Sequence, residues 1–308
     1  MTHPSITLIG APTDIGASVL GTSMGPDALR IAGIVMALRA RGLDVIDRGN
    51  LGGPANPQQG VQDGFRHLIE ATAWSQTVFA AVSDTLAAGR LPLLLGGDHC
   101  LAIGSISAVA QHCRLQGKRL KVLWLDAHAD ANTPDTTPSG NLHGMPVACL
   151  MGHGPTSLTE LGGVIALQPE HLQLIGIRSV DAAEKRFVHA LGVQVYDMRY
   201  IDEVGMRSVL EQALHGIGHD THLHLSFDID SLDPDIAPGV STAVRGGLTY
   251  REAQLFMEML ADSRQLGSID VMELNPAHDV RNQTAELVVD LMESLFGKTT
   301  LMRRPAGR

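Results

Sequence analysis

The chain has 308 residues, of which 44% are hydrophobic and 18% are charged, and its formal net charge is −10. This composition is typical of a globular protein and excludes a largely disordered chain. The acidic balance argues against a general nucleic-acid-binding protein, which needs a basic surface, and favours a cationic small molecule as a partner.

Strand-like apolar runs alternate with helix-like stretches along the whole chain. The predicted strands are Ile6–Ala11, Asp44–Asp47, Leu91–Leu95, Lys121–Asp126, Leu172–Ile177, Val193–Tyr196, His222–Asp230 and Ser268–Glu273. The main predicted helices are Pro26–Arg41, Val61–Ala88, Ala182–Leu191, Ile201–Gly216, Thr249–Ala261 and Ala285–Phe296. Eight strands with helical crossovers predict an α/β fold with one mostly parallel sheet between two helical layers. No linker or internal repeat interrupts the pattern, so residues 1–308 are predicted to form a single domain.

Polar side chains end or closely follow four of the predicted strands, where apolar ones would be expected. They are Asp98 and His99, then Asp126, His128 and Asp130, then Asp228 and Asp230, and finally Glu273. Parallel α/β sheets bind their ligands beyond the carboxyl ends of the strands. We therefore expect these side chains to surround a functional site at that edge of the sheet.

The chemistry of these polar residues indicates a metal centre. Alternate residues of an extended segment face the same side, so the acids and the histidine at each strand end can converge. Buried carboxylates this close repel one another and do not all ionise unless cations neutralise them. The four carboxylates of Asp126, Asp130, Asp228 and Asp230 match two dications. Together with the imidazoles of His99 and His128 they form an oxygen-rich set without cysteine, which favours Mn²⁺ over a structural Zn²⁺. Two-metal sites hold their ions roughly 3.5–4 Å apart and activate a bridging water.

Each of these motifs alone also has a plain structural interpretation. A single DxHxD segment is as typical of a solvated loop as of a metal site, and a single DxD segment is weaker evidence still. Asp98 can serve as the cap of the following helix. His222 and His224 share a face with Asp228 but lie deeper in the sheet, and we interpret them as core histidines with hydrogen-bond partners. The three motifs at three strand ends are together more specific than any one of them.

The cysteines and the first residues bear on the cellular compartment. Cys100, Cys113 and Cys149 are widely spaced and form no CxxC pair. An odd number at such spacing favours reduced thiols over a disulfide framework. No signal-peptide pattern precedes the first strand, and no apolar run reaches the about 20 residues of a membrane helix. We therefore expect a cytoplasmic protein.

Five longer segments resemble the ureohydrolases, the arginase and agmatinase family. They are GGDHC at 96–100, DAHADANTPDTTPSGNLHGMPV at 126–147, SFDIDSLDP at 226–234, GGLTYRE at 246–252 and MELNP at 272–276. They occur in the family's order and span nearly the whole chain, and the segment NTPDTTPSGNLHG is similar to that of arginases in particular. The resemblance implies an eight-stranded parallel sheet and a binuclear manganese centre.

The resemblance also implies which residues hold two Mn²⁺ ions per chain. One ion is expected on His99, Asp126, Asp130 and Asp228. The other ion is expected on His128, Asp126, Asp228 and Asp230. Asp126 and Asp228 would bridge the two ions.

The reaction implied is hydrolysis of L-arginine to L-ornithine and urea, in which a metal-bridging hydroxide attacks the guanidinium carbon. Asp130 would pass a proton to the leaving amine, His143 would act as a proton shuttle and Glu273 would lie beside the guanidinium group. An exposed loop histidine and a helix-start acid are the structural alternatives for His143 and Glu273.

The resemblance further implies the residues that recognise the substrate. Asn132, Thr137 and Ser139 would receive the α-carboxylate, directly or through water. Asp181 and Glu184 would lie near the α-amino group, and Thr242 would lie beside the active site. A surface ion pair is the alternative for Asp181 and Glu184.

Two short segments depart from the family pattern. Cys100 stands where the family usually has Ser after GGDH, and we expect it beside a metal ligand without binding the metal itself. Ser241-Thr242-Ala243 replaces the usual GTP, and loss of that proline could loosen the loop that carries Thr242. Both departures bear on substrate preference and turnover more than on the class of reaction.

Three other functions compete with arginine hydrolysis. The first is hydrolysis of another guanidino compound, such as agmatine or a guanidino acid. The second is a deacetylase-like reaction with one metal, against which the doubled ligand set argues. The third is a metal-binding family member without catalytic activity. For the assembly, the resemblance implies a homo-trimer or a homo-hexamer.

Overall fold

The computed structural model describes residues 5–299, and its centre is an eight-stranded parallel sheet. The strands are β1 (Ser5–Ala11), β2 (Asp44–Asn50), β3 (Leu91–Gly96), β4 (Arg119–Leu125), β5 (Leu172–Ile177), β6 (Gln194–Asp197), β7 (Thr221–Asp228) and β8 (Leu266–Met272). They lie in the order β2-β1-β3-β8-β7-β4-β5-β6, and every pairing is parallel. The predicted α/β class and strand count are confirmed.

Ten α-helices of the described chain cover the two faces of the sheet. They are α1 (Gly25–Ile31), α2 (Ile34–Ala40), α3 (Leu68–Ala87), α4 (Ala102–Gln116), α5 (Pro146–Leu150), α6 (Thr156–Thr159), α7 (Ala182–Leu191), α8 (Met198–Ala213), α9 (Tyr250–Ser263) and α10 (Gln283–Leu295). Helices α1, α2, α8, α9 and α10 pack on one face, and α3 to α7 pack on the other. Because both faces are covered, most residues of the central strands are buried.

Two of the predicted helices are wrong in extent. The predicted helix Pro26–Arg41 is two helices, because Gly33 has a φ of +89° and breaks the helical conformation between α1 and α2. The predicted helix Val61–Ala88 begins too early, and α3 begins only at Leu68. Gly64 and His67 have φ angles of +82° and +52°, which a right-handed helix cannot contain.

The polar strand ends meet because of the strand order. Strands β3, β8, β7 and β4 are consecutive neighbours in the sheet, so their carboxyl ends form one continuous edge. The predicted strand His222–Asp230 ends at Asp228, and Ile229–Ser231 forms a 3₁₀ turn. Asp126 likewise lies just beyond β4. These acids therefore stand at the rim of the sheet, as the sequence predicted. None of the helices in the described part of the chain is long and apolar enough to span a membrane.

Candidate metal centre and active site

The segment after β3 places the first histidine of the site. The Asp98 carboxylate accepts hydrogen bonds from the backbone N–H groups of Gly16 (2.6 Å) and Cys100 (3.0 Å), and so caps the turn that begins at His99. The capping interpretation of Asp98 is confirmed. The His99 ring stacks on Trp124 with centroids 4.1 Å apart, and its Nε2 lies 2.9 Å from the Ser226 hydroxyl.

Three carboxylates face the other nitrogen of His99. His99 Nδ1 lies 2.9 Å from Asp228 Oδ2, 3.1 Å from Asp126 Oδ2 and 3.2 Å from Asp130 Oδ2. All four side chains are buried, and His99, Asp126 and Asp130 have ligand atoms within 4.8 Å of one another. This group comprises the four residues predicted for the first ion.

A second group surrounds His128 on the neighbouring side of Asp126. His128 Nδ1 lies 3.1 Å from Asp230 Oδ2 and 3.5 Å from Asp126 Oδ1. The ligand atoms of these three residues also lie within 4.8 Å of one another. Asp126 belongs to both groups, one oxygen toward each histidine, which is the arrangement that a bridging carboxylate requires.

The charges of the two groups fit cations. His99 Nδ1 is buried and has no hydrogen-bond partner in the described part of the chain, although three carboxylate oxygens surround it. Burial and the neighbouring carboxylates raise the pKa of Asp130 to about 7 and raise the pKa of Asp228 well above its usual value. A ring nitrogen whose lone pair faces several carboxylate oxygens is stable only if a proton or a metal ion lies between them. A histidine and oxygen ligand set without cysteine suits a hard or borderline dication.

The sequence did not predict the residues that hold these ligands in place. Trp124 Nε1 donates to Asp126 Oδ2 at 2.8 Å, and the Ser226 hydroxyl fixes the ring of His99. Ser226 could have been found, because it precedes Asp228 by two positions on β7 and therefore lies on the same face of the sheet. Such partners orient metal ligands and set their basicity.

Two site acids have unusual backbone conformations. Asp130 has a φ of +49° and Glu273 has a φ of +66°, both in the left-handed region that residues with side chains rarely adopt. Such conformations persist where the surrounding structure holds them, and they concentrate at functional sites. The Asp130 turn explains why this acid faces His99 even though it is the most distant residue of the DAHAD segment from β4.

His143 and Glu273 form a pair beside the first group. His143 Nδ1 lies 3.5 Å from Glu273 Oε1, which also accepts a hydrogen bond of 2.7 Å from the backbone N–H of His99. Burial lowers the pKa of His143, but the Glu273 carboxylate outweighs burial and raises it to about 9. Glu273 Oε2 is buried and lacks a hydrogen-bond partner within residues 5–299. Neither residue is an exposed loop or helix-start group, so those alternatives are wrong.

A cavity of about 170 Å³ opens above the metal groups. Every predicted site residue lines it except Asp126, which is fully buried beneath. Asn141 and Ser179 also line it, and the sequence did not indicate either residue. The structure thus brings all the predicted residues to one place.

The polar loop after Asp130 presents neutral donors to this cavity. Thr137 Oγ1 accepts hydrogen bonds from the N–H groups of Ser139 and Gly140, and Ser139 Oγ accepts one from Asn141. Asn132 Oδ1 accepts a hydrogen bond from Thr136. The acceptor atoms are therefore used inside the loop, while the two hydroxyl protons and the Asn132 amide N–H groups can donate to a ligand.

Asp181 and Glu184 begin α7 on the opposite side of the cavity. Glu184 is buried, and its carboxylate accepts hydrogen bonds from the N–H groups of Ala131 (2.9 Å) and Asp181 (3.3 Å). Asp181 in turn caps the same helix from an exposed position. No basic side chain of the described chain forms a salt bridge with either residue, so the surface-ion-pair alternative is wrong.

The two departures from the family pattern are accommodated locally. Ser241 Oγ accepts a hydrogen bond of 2.8 Å from Asn275, which holds the loop that lacks the usual proline. On that loop, Thr242 Oγ1 donates to Asp230 Oδ2 at 2.9 Å. Cys100 is fully buried beside His99 and belongs to neither metal group, as expected. Cys100, Cys113 and Cys149 are all free thiols.

The deeper histidines of β7 are core residues, as interpreted from the sequence. His222 Nε2 and His224 Nδ1 both lie within 2.9 Å of the Ser268 hydroxyl, at distances of 2.9 and 2.8 Å. His224 Nε2 also faces Asp270 at 3.2 Å. Both rings therefore have the Ser268 hydroxyl as a partner away from the cavity, whereas His224 Nε2 has no hydrogen-bond partner within residues 5–299.

The fold and the site together define a class, namely three-layer α/β proteins with a metal-binding cluster of His and Asp at the carboxyl ends of parallel strands. The model of the arginase family matches residues 4–297. The chain therefore belongs to the arginase family, and it is a hydrolase.

Individual relatives agree with this family membership. The chain is 43% identical to an arginase from Bacillus caldovelox, over 95% of this chain and 98% of the relative. The native structure of arginase from B. caldovelox matches with a TM-score of 0.91 at 42% identity, covering 97% of this chain and 100% of that chain. A crystal structure of arginase from Bacillus cereus matches with a TM-score of 0.90 at 40% identity, with the same coverage.

Proposed function

We propose that this chain hydrolyses L-arginine to L-ornithine and urea, with two Mn²⁺ ions per chain as cofactor. The observation that carries the proposal is the cavity itself, which has a cluster of buried acids with the unpaired Glu273 Oε2 at its floor and neutral hydrogen-bond donors at its rim. A cationic guanidinium group fits the first end, and an α-carboxylate fits the second. His99, Asp126, Asp130 and Asp228 would hold one ion, and His128, Asp126, Asp228 and Asp230 the other.

The guanidinium end is supported by Glu273. Its Oε2 is buried without a hydrogen-bond partner in the described chain, which is costly unless a donor arrives with the ligand. A guanidinium N–H satisfies this oxygen and neutralises its charge. The bound ions would supply charge neutralisation and an activated water at neutral pH.

Proton transfer would fall to Asp130 and His143. Asp130 faces the metal groups, where it can accept a proton from the attacking water and pass it to the leaving amine. His143 has a pKa raised to about 9, so it is protonated near neutral pH. It can therefore carry a proton between the cavity and solvent. Asn141 lies 3.5 Å from its Nε2 and helps to orient the ring.

The amino-acid end is supported by the loop 132–139. The side chains of Asn132, Thr137 and Ser139 keep donors free for a carboxylate, and none of them carries a charge that would compete for the metal ligands. Asp181 and Glu184 stand across the cavity, where an α-ammonium group would be attracted. Thr242 would act by fixing Asp230.

Agmatine hydrolysis has less support. Agmatine lacks the α-carboxylate, so the donors of the loop 132–139 would face no partner. A deacetylase-like reaction needs one metal, whereas Asp126 here serves two separate histidine groups. A non-catalytic role would leave the His143–Glu273 pair without a function.

We also propose the wider setting that the family resemblance implies. Residues 1–308 would form one domain, and the chains would assemble as a homo-trimer or homo-hexamer in the cytoplasm. Size-exclusion chromatography with light scattering measures the assembly directly.

The proposed reaction is tested with metal-free chain that is reloaded separately with Mn²⁺, Co²⁺, Ni²⁺ or Zn²⁺. Bound metal is counted, urea is measured after addition of arginine, agmatine or guanidinobutyrate, and ornithine is measured with arginine. We expect two Mn²⁺ per chain and equal amounts of urea and ornithine. One tightly bound Zn²⁺ would instead support a single-metal reaction, and no urea from any guanidino compound would support a non-catalytic role.

A further inference from the structure

Arg178, which directly follows β5, has an unusual set of partners. Its guanidinium donates only to main-chain carbonyls, at distances from 2.7 Å (Asp230) to 3.3 Å. The five carbonyls belong to Gly176, Asp230, Ser231, Leu232 and Val244. Within residues 5–299, no carboxylate lies at ion-pair distance from this half-buried cation.

The partners of Arg178 come from the segments that carry the second metal group. Its own backbone N–H donates to the carbonyl of Ala127 at 2.8 Å, between Asp126 and His128. Its side chain holds the 3₁₀ turn that contains Asp230 and the loop that contains Thr242. One residue thus connects the end of β4, the end of β7 and the Thr242 loop.

The Asp230 carboxylate depends on those same three segments. Its Oδ1 accepts a hydrogen bond of 3.2 Å from Ala127 N–H, and its Oδ2 accepts one of 2.9 Å from the Thr242 hydroxyl. The same Oδ2 faces His128 Nδ1 at 3.1 Å. A shift of the turn or of the loop would therefore move the oxygen that meets His128.

The surrounding sequence leaves room for this guanidinium. A Cβ atom at Gly247 would lie 2.6 Å from Arg178 Nη2 and 2.5 Å from the backbone nitrogen of Asp233. Gly247 thus allows the Thr242 loop to pass close to the cation. The planar fork of Arg can reach several carbonyls at once, whereas the single ammonium group of Lys cannot.

We propose that Arg178 is a positioning residue that holds Asp230 and the Thr242 loop in the geometry needed for the second metal ion. It does not line the cavity and belongs to neither metal group. It fixes the carbonyls of Asp230 and of the two residues that follow, and its positive charge offsets part of the repulsion among the site carboxylates. The inference rests on the proposed two-ion centre.

The test is a Mn²⁺ titration of the full-length, metal-free chain and its Arg178→Lys variant, followed by the EPR signal of unbound Mn²⁺. The wild-type chain is expected to bind two ions. The variant is expected to keep the first affinity and to bind the second ion about 10- to 100-fold more weakly, as is typical when a partner of a metal ligand is lost.

A matched control is Arg90→Lys. Arg90 also donates to backbone carbonyls, those of Ile6 (2.7 Å) and Asp44 (3.0 Å), but at the amino ends of β1 and β2. Both affinities should stay unchanged in this control. Thermal unfolding of each variant in chelator measures any general loss of stability.

Equal weakening of both binding steps, in parallel with a lower melting temperature, would reduce Arg178 to a structural role and overturn the inference. Two unchanged affinities in folded Arg178→Lys would overturn it while leaving the two-ion centre intact. A wild-type chain that binds one ion would overturn both. If Arg178→Lys does not fold, Thr242→Val is titrated instead, because it removes only the hydroxyl that holds Asp230. An unchanged second step in that variant would overturn the inference as well.

Discussion

Replacing Glu273 by Gln tests the guanidinium end of the cavity. The amide keeps an oxygen that can accept the hydrogen bond from His99 N–H, now 2.7 Å long, so the turn after β3 should persist. The change removes the charge of the buried acid and places an N–H₂ group near the unpaired Oε2 position. Two donors, the amide and the guanidinium, would then face each other.

The expected loss follows from one charged hydrogen bond. Such a bond contributes about 1.5–3 kcal/mol, which corresponds to about 10- to 150-fold in kcat/KM for arginine. The variant should also change the pH profile. Glu273 raises the pKa of His143, to about 9 in the wild-type chain. Without that charge the pKa falls, so His143 loses its proton at a lower pH and the alkaline limb of activity moves toward neutral pH.

Steady-state urea release from pH 6 to 10 measures both effects. Asp220→Asn is the control, because this acid pairs with Arg119 (2.9 Å) before the start of β7, at the opposite edge of the sheet. The control should keep the wild-type rate and pH profile. A Glu273→Gln enzyme with kcat/KM within twofold of wild type, and with an unmoved alkaline limb, would refute this role for Glu273.

Three further changes probe the rest of the account. Ser139→Ala or Asn132→Ala should each weaken arginine binding by about 1–3 kcal/mol and so raise KM for arginine, with kcat and the kinetics for agmatine little changed. A KM for arginine equal to that of the wild-type chain in both variants would remove the recognition role. Mn²⁺ at 100 times its Kd should stabilise the metal-free chain by about 2.7 kcal/mol for each site that it fills, as measured by thermal unfolding, and an unmoved melting temperature would contradict the metal centre. Gly97→Ala should lower the free energy of unfolding in urea by about 3 kcal/mol, because the new Cβ would lie 1.9 Å from the Thr13 carbonyl oxygen. Gly52→Ala is the control, because no atom lies within 4 Å of a Cβ at that position.

The parallel sheet could be predicted because strands such as β3 and β5 are apolar runs that alternate with helix-like stretches. Strand β5 and helix α7 match their predicted bounds. The break at Gly33 and the late start of α3 could not be predicted, because positive φ angles depend on how the flanking segments pack. Local propensity alone favours a longer helix in both places.

The position of the His and Asp cluster could be predicted because several acids and histidines lie at the ends of strands that are neighbours in the sheet. Their supporting contacts could not. Ser226 binds His99 across 127 residues of sequence, and Arg178 reaches Val244 across 66. Glu184 was predicted near the α-amino group, but its buried hydrogen bond to Ala131 depends on how α7 docks. Single-sequence patterns carry no information on such long-range pairs.

The choice between arginine and agmatine tests the central proposal most directly. The measurement is the ratio of kcat/KM for the two substrates, with the wild-type chain and saturating Mn²⁺. Agmatine lacks the carboxylate that the loop 132–139 would bind, and at least one charged hydrogen bond of about 1.5–3 kcal/mol is then missing. We expect a ratio of about 10 or more in favour of arginine. A ratio of one or less would contradict it.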